Sequence, residues 1–260
     1  MGKSRSFDRA ANIYDQTRLL LEPITNYGIP AILEIMGTNA RVLEVGPGTG
    51  RISIPLLERG VDLIGCDLSS LMLARFREKF PSARIARAGA TLLPFPTAYF
   101  DVVLTVHVMH LIPPWREALH EFRRVLVPEG AYLHVSTWSP VGISAGGRIR
   151  EFWRSWMREN GVDAGHPGVR DQAQLLEELR SLGAELTELE AVRFTDSFNL
   201  REELDRFESR VYSETWDLPD MIFNASMKAL RAWAAQEFGS LDQEIKDEVR
   251  FVIQVARFVR

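Results

Sequence analysis

The feature that most constrains this chain is a glycine-rich stretch that follows a short apolar run. Residues 41–50 read Arg-Val-Leu-Glu-Val-Gly-Pro-Gly-Thr-Gly, with glycines at positions 46, 48 and 50, and a helix-like segment comes next. The first glycine permits a tight turn, and the others let backbone N–H groups approach a ligand that a Cβ atom would block. The stretch predicts a parallel strand that turns into a helix over a bound cofactor.

A second apolar run, residues 61–66, ends in the acidic residue Asp67. Asp67 lies 17 residues beyond Gly50 (67 − 50), at the expected tip of the next strand. A carboxylate at that point of a nucleotide-binding fold accepts hydrogen bonds from ribose hydroxyl groups. The two stretches together predict a cofactor that contains a nucleoside.

The spacing of the glycines separates two classes of cofactor. Dinucleotide sites usually read G-x-G-x-x-G, with a pyrophosphate at the helix N-terminus, but Arg51 holds the third glycine position here. Glu44, two residues before the first glycine, suits a cofactor with a cationic amine and sulfonium better than one with phosphates. These residues resemble the first motif of the class I S-adenosylmethionine-dependent methyltransferases, in their ubiquinone/menaquinone-biosynthesis-like (methyltransferase type 11) branch. The spacing and Glu44 disfavour the alternative, an NAD(P)-dependent oxidoreductase.

Three further stretches carry the same resemblance, so that four motifs follow in the family's order over residues 41–135. They are residues 67–74, residues 93–103 and residues 118–130. The resemblance implies an α/β fold with a Rossmann-like, doubly wound, mostly parallel seven-stranded sheet. It also implies an antiparallel last strand and a helical lid.

The resemblance implies a place for each part of S-adenosyl-L-methionine. Asp67 takes the ribose, Met72 packs on the adenine, and the backbone carbonyl of Val106 takes the ammonium group. Tyr14 and Arg18 reach the carboxylate from an N-terminal helix, and a guanidinium binds a carboxylate through two parallel hydrogen bonds. On spacing alone, Arg18 is equally well a surface charge of an amphipathic helix. The full implied set is Tyr14, Arg18, Glu44, Gly46, Pro47, Gly48, Asp67, Leu68, Met72, Gly89, Ala90, Thr91 and Val106.

The chain departs from the family's pattern at Gly89. In many relatives an acid at this position takes the adenine amino group. A hydrogen bond to a charged group contributes roughly 1.5–3 kcal/mol, so its absence weakens adenine selection modestly. Backbone groups of Gly89, Ala90 and Thr91 remain available to the base.

Two histidines, His107 and His110, follow the fourth predicted strand and are the candidate catalytic residues. Methyl transfer from a sulfonium is an in-line displacement with an activated donor, so the protein mainly aligns the reactants and excludes water. A base is needed only for a protonated, weakly acidic acceptor. Histidine suits that task because its ordinary pKa is about 6.5, and we prefer His110. For each histidine, a structural role, in which the side chain hydrogen-bonds to loop backbone, is at least as good an interpretation.

Composition excludes several classes of function. The 260 residues carry a net charge of −4 without a long basic run, which disfavours a nucleic-acid partner. The only cysteine, Cys66, lies in a predicted strand, and the five histidines are too scattered to suggest a metal site. No apolar run approaches the roughly 20 residues of a membrane helix, and the N-terminus lacks the apolar part of a signal peptide. We expect a cytoplasmic enzyme that acts on a small-molecule methyl acceptor.

Periodicity predicts the order of the elements. Predicted strands cover residues 41–45, 61–66, 83–87, 100–105, 130–137, 184–198 and 249–258, and predicted helices cover residues 50–59, 70–80, 115–126 and 171–180. The predicted domains are an N-terminal helical cap (1–36, interrupted around Pro23 and Pro30), the cofactor-binding core (37–139), helical lid insertions (140–166 and 199–240), and the remainder of the sheet (167–198 and 241–260).

A function from another class stays open on the sequence alone. Since Gly89 replaces an expected acid and no catalytic base is assured, the chain also fits a non-catalytic S-adenosylmethionine-binding regulatory protein. Methyl transfer to any acceptor would distinguish the enzyme from this alternative. The acceptor atom (N, O or C) and the oligomeric state are left open.

Overall fold

A sheet of seven strands organises the part of the chain that the computed structural model describes, residues 6–138 and 144–258. The strands are β1 (Arg41–Val45), β2 (Asp62–Asp67), β3 (Arg84–Arg87), β4 (Phe100–Val106), β5 (Leu126–Trp138), β6 (Ala184–Asn199) and β7 (Glu244–Phe258). Their order across the sheet is β3-β2-β1-β4-β5-β7-β6. Pairing is parallel from β3 through β5 and antiparallel at the last strands. The predicted Rossmann-like α/β fold is confirmed.

Helices connect β1 to β2, β2 to β3 and β4 to β5, as the periodicity predicts. The helices are α1 (Tyr14–Thr17), α2 (Ile29–Met36), α3 (Ser53–Leu57), α4 (Ser70–Lys79), α5 (Trp115–Val125), α6 (Ala145–Glu159), α7 (Gln172–Ser181), α8 (Leu200–Glu208) and α9 (Asp220–Phe238). α3 is shorter than the predicted helix 50–59 because the turns of the glycine-rich loop continue to residue 52. None of the helices in the described ranges is long and apolar enough to cross a membrane.

The N-terminal segment differs from the prediction at one proline. Pro30 does not interrupt the helical path but lies in the first turn of α2, directly after the π-helical turn Ile24–Gly28. The helical path instead breaks at residues 18–21, just ahead of Pro23. The prediction of a break around Pro23 is therefore right, and that of a break at Pro30 is wrong.

Side-chain hydrogen bonds attach this N-terminal segment to the start and the outer face of α4. The carboxylate of Asp8 accepts hydrogen bonds from Ser69 Oγ (2.6 Å) and from the backbone N–H of Leu71 (3.1 Å). The Nζ of Lys79 lies 3.0 Å from the carboxylate of Asp15. Ser69 Oγ also accepts from the backbone N–H of Met72, so that one hydroxyl caps α4 and holds Asp8. These contacts fix where the segment lies.

The described residues divide into two compact units. Unit 1 takes its residues from Met1–Thr137, Pro167–Val192 and Phe251–Arg260, and unit 2 takes its residues from Trp138–His166 and Arg193–Arg250. The loop predicted from residue 139 onward begins outside the described residues. Unit 2 contains both stretches that the sequence predicts as a lid, and that role stays a prediction.

Each unit has its own apolar core. In unit 1, every residue of β4 except Asp101 is buried, which is typical of a parallel strand covered on both faces. α5 packs there, with the rings of Phe122 and Tyr132 5.2 Å apart. In unit 2, α6 buries Ile149, Trp153 and Met157 against α8 and α9. These three side chains of a predicted lid insertion are thus core residues of unit 2.

Candidate active site

A cavity that is partly open to solvent lies in unit 1 at the carboxyl ends of β1, β2 and β4. The strand order reverses at β1, and such switch points are where open α/β sheets bind ligands. The predicted site residues that line the cavity are Tyr14, Gly46, Gly48, Asp67, Leu68, Met72, Gly89, Ala90, Val106 and His107.

Five predicted site residues are not part of this lining: Arg18, Glu44, Pro47, Thr91 and His110. Pro47 packs its ring beside Gly65 of β2. Arg18 donates a hydrogen bond from its guanidinium to the carbonyl of Thr17.

The glycine-rich loop borders the cavity with backbone that only glycine adopts easily. Gly46 has φ +77°, and its N–H donates to the carbonyl of Cys66 at 2.8 Å. A Cβ atom on Gly46 would lie 2.5 Å from Val108 Cγ2, so this glycine also lets the β4 loop approach. Gly48 has φ +58°, and only Tyr14, at 3.9 Å, would meet a Cβ atom there. The loop is therefore tightly packed at Gly46 and open toward the cavity at Gly48.

Asp67 stands at the tip of β2, where the sequence predicts it, with its carboxylate held by two backbone groups. Gly48 N–H donates to Oδ2 at 3.0 Å, and Ser69 N–H donates to Oδ1 at 2.8 Å. Burial raises the pKa of this carboxyl above its ordinary value of 3.8, and the two backbone N–H groups oppose that effect. The carboxylate is thus oriented before any ligand arrives, with lone pairs left for further donors.

Glu44 is buried beneath the loop rather than exposed in the cavity. Glu44 is a residue of β1, and Ser53 Oγ from α3 donates a hydrogen bond to its Oε2 at 2.5 Å. Burial raises the pKa of Glu44 from 4.5 to about 7, more than the Ser53 hydrogen bond and the charge of Arg51 lower it. Glu44 thus joins β1 to α3, and its predicted role beside a cationic cofactor stays a prediction.

Neither candidate base has the properties that the sequence suggests. His110 lies in the 3-10 turn Met109–Leu111, outside the lining, so the preference for His110 is not supported. His107 lines the cavity, but burial lowers its pKa to about 3, with smaller contributions from the charges of Arg51, His134 and Arg18. A histidine with so low a pKa accepts a proton poorly at neutral pH.

Comparison with protein families identifies the part of the chain that holds the cavity. Residues 43–134 match the family described as "Methyltransferase domain". This stretch is a methyltransferase domain. It contains every lining residue of the cavity except Phe7 and Tyr14, which belong to the N-terminal segment.

Curated relatives of the methyltransferase domain differ in name. A demethylmenaquinone methyltransferase of Beutenbergia cavernae is 32% identical over 141 residues, which cover 52% of this chain and 59% of that protein. A malonyl-[acyl-carrier protein] O-methyltransferase of Halorhodospira halophila is 31% identical over 164 residues, which cover 57% of this chain and 55% of that protein. The match spans less than two thirds of either relative's length.

A solved structure shares the fold. Phosphoethanolamine N-methyltransferase 2 of Haemonchus contortus, in complex with S-adenosyl-L-methionine, superposes with a TM-score of 0.55 and 18% identity. The similarity covers 97% of this chain and 57% of that chain. At this identity the likeness concerns the fold alone.

Several residues of the methyltransferase domain line the cavity although the sequence analysis does not select them. They are Val45, Cys66, Ala88, Val108, Leu111 and Ile112. The first three end or directly follow predicted strands, and the rule that ligands bind at carboxyl ends of strands identifies such positions. Cys66 is buried, and burial raises the pKa of its thiol to about 12. No local signal marks the other three, which reach the cavity from the loop after β4.

Proposed function

We propose that this chain transfers a methyl group from S-adenosyl-L-methionine to a small-molecule acceptor by in-line displacement. The observation that carries the proposal is the cavity of the methyltransferase domain, with Asp67 and the Gly46–Gly48 loop at the strand ends. Asp67 is proposed to take the ribose hydroxyls, and Met72 and Leu68 to pack on the adenine. The structural neighbour solved with S-adenosyl-L-methionine supports this choice of cofactor.

We propose that the acceptor attacks the methyl group with an atom from which the enzyme does not have to remove a proton. The titratable side chains of the described cavity are Tyr14, Cys66, Asp67 and His107. The pKa of the Cys66 thiol is about 12 and that of His107 about 3, so neither serves as a base at neutral pH. The relatives' names include both an O- and an N-methyltransferase, and the acceptor atom stays open between N, O and C.

Calorimetry against S-adenosylmethionine, S-adenosylhomocysteine and NAD tests the cofactor. We expect micromolar dissociation constants for the first two ligands and no binding of NAD. Binding of NAD alone would overturn the proposal in favour of an oxidoreductase. Amine, phenol, carboxylate and enol acceptors are then screened for formation of S-adenosylhomocysteine. Tight cofactor binding without turnover of any acceptor would favour the non-catalytic regulatory protein.

Asp67→Ala is expected to raise the dissociation constant of S-adenosylhomocysteine by at least about tenfold, or about 1.4 kcal/mol. The physical reason is the loss of charge-assisted hydrogen bonds to the ribose. Calorimetry of the wild type and the variant measures the change. Asp62→Ala, at the opposite end of β2, is the matched control and should leave the constant unchanged. An unchanged constant for Asp67→Ala would remove the ribose assignment.

Gly89→Asp is expected to fold normally and to bind S-adenosylhomocysteine several-fold more tightly. No atom of the described residues lies within 4 Å of a Cβ atom built on Gly89, and the residue lines the cavity. The added carboxylate gains an adenine amino group as a donor. Gly89→Ala, which adds a Cβ atom without the carboxylate, is the control and should bind like the wild type. Equal affinities for the Asp and Ala variants would show that the adenine does not approach this position.

A further inference from the structure

The hydrogen bonds of His107 define which ring nitrogen carries its proton. The backbone N–H of Thr137 points at Nε2 with a distance of 3.1 Å, and Thr137 Oγ1 lies 2.8 Å from the same atom. A backbone N–H group acts only as a donor. Nε2 must therefore offer a lone pair, and in a neutral imidazole the proton then resides on Nδ1.

The second ring nitrogen is available to a ligand. His107 lines the cavity, and within residues 6–138 and 144–258 both hydrogen bonds of its ring involve Nε2. The buried side-chain atoms that lack a hydrogen-bond partner in the described residues do not include Nδ1 of His107, so solvent reaches this atom. An N–H donor of known orientation thus remains on a residue that borders the cavity.

The backbone of His107 is held in an uncommon conformation. Its φ is +53°, a left-handed value that is rare outside glycine. Such a conformation persists only where the surroundings impose it. The N–H of His107 donates to the carbonyl of Val135 in β5 at 3.2 Å, and the ring is fixed by Thr137 of the same strand. Both contacts orient the imidazole against β5.

The charges around His107 favour an anionic partner. The groups that act on it from other elements are Arg51 after the glycine-rich loop, Arg18 after α1, and His134 in β5. The two guanidinium groups lower the pKa of His107, so positive charge lies close to the ring without a proton on it. An oxygen with negative charge gains from both the cations and the N–H donor.

We propose that His107 is a hydrogen-bond donor whose Nδ1–H binds an anionic oxygen of a ligand in the cavity. The oxygen is a carboxylate or phenolate oxygen, supplied either by the methionine part of the cofactor or by the acceptor. The choice between these sources rests on the proposed function, whereas the state of the ring does not. His107 is therefore a residue that positions a ligand, and it removes no proton.

Nitrogen-15 NMR of histidine-labelled protein tests the state of the ring without any ligand. We expect the His107 signals, assigned by their loss in His107→Asn, to show the Nδ1–H tautomer unchanged from pH 5 to pH 8. His120, an exposed residue of α5, provides a reference in the same spectra. An Nε2–H tautomer, or protonation of His107 within this range, would overturn the proposal. This result is independent of whether the chain transfers methyl groups.

Three ligands then identify the oxygen: S-adenosylhomocysteine, 5′-methylthioadenosine, which lacks the carboxylate, and benzoate added to protein saturated with S-adenosylhomocysteine. If the cofactor supplies the oxygen, His107→Ala should weaken S-adenosylhomocysteine by about tenfold to a hundredfold and leave methylthioadenosine unchanged. If the acceptor supplies it, the variant should lose benzoate binding instead. Unchanged binding of all three ligands would overturn the proposal.

His107→Asn is the conservative variant that separates ligand binding from folding. Asparagine tolerates left-handed backbone better than alanine does, and its amide N–H can replace the Nδ1–H donor. We expect it to restore most of the affinity that His107→Ala loses. If both variants lose affinity equally while their thermal stabilities match that of the wild type, the donor role is wrong.

Discussion

Gly50→Ala is expected to destabilise the protein by about 2–5 kcal/mol. Gly50 has φ +86°, and left-handed backbone costs an alanine about 1–2 kcal/mol. Its Cβ atom would lie 2.5 Å from Phe76 Cδ2 and 3.0 Å from Ile54 Cγ1. Phe76 of α4 is fully buried, so overpacking adds about 1–3 kcal/mol. Urea denaturation measures the total.

Gly60→Ala is the matched control for this prediction. Gly60 has nearly the same backbone, with φ +81°, but a Cβ atom at this position would have no neighbour within 4 Å in the part of the chain that the structure describes. Gly60→Ala should therefore lower the free energy of unfolding only by the cost of placing alanine in left-handed backbone, about 1–2 kcal/mol. The difference between the two variants isolates the contact with Phe76. Equal losses would mean that Gly50 is required for its conformation alone.

Glu44→Gln is expected to stabilise the protein by about 3 kcal/mol above pH 7 and to have little effect at pH 4.5. The buried carboxyl has a pKa of about 7 against an ordinary 4.5, and one pH unit corresponds to about 1.36 kcal/mol. Between these values the folded chain keeps a proton that the unfolded chain has released, so the free energy of unfolding falls as pH rises. Glutamine does not titrate, and its oxygen can still accept from Ser53.

Unfolding of the wild type and Glu44→Gln at pH 5 and pH 8 measures this effect. Burial also raises the pKa of Asp67, which adds a slope of the same sign to both proteins and cancels in the comparison. Ser53→Ala removes the hydrogen bond that lowers the Glu44 pKa and should steepen the decline with pH. A gain that is equal at both pH values would show that Glu44 does not titrate in this range.

The strands and turns around the cavity are predictable because their signals are local. The apolar run before Gly46 matches β1 at both ends, and the acid after the next run, Asp67, ends β2. Backbone freedom at glycine and the alternation of strand and helix are properties of short stretches. The fold class and much of the cavity lining therefore follow from the sequence.

The environments of the ionisable side chains do not follow in the same way. Whether Glu44 reaches the cavity depends on Ser53, nine residues later, and the proton on His107 is placed by Thr137, thirty residues later. Such pairs form only when the strands and helices are assembled. The sequence shows that the residues are titratable, but the low dielectric of the assembled interior decides how they titrate.

The buried thiol of Cys66 allows local opening of the protein around the end of β2 to be measured by chemical labelling. The chain has one cysteine, so alkylation with a thiol reagent yields a single product. With a pKa of about 12, very little of the thiol is ionised at pH 8, and the thiolate is the reactive form. Modification then reports how often the end of β2 opens to solvent. The ratio of labelling rates without and with a bound ligand gives the protection that the ligand confers, with no dye or engineered label.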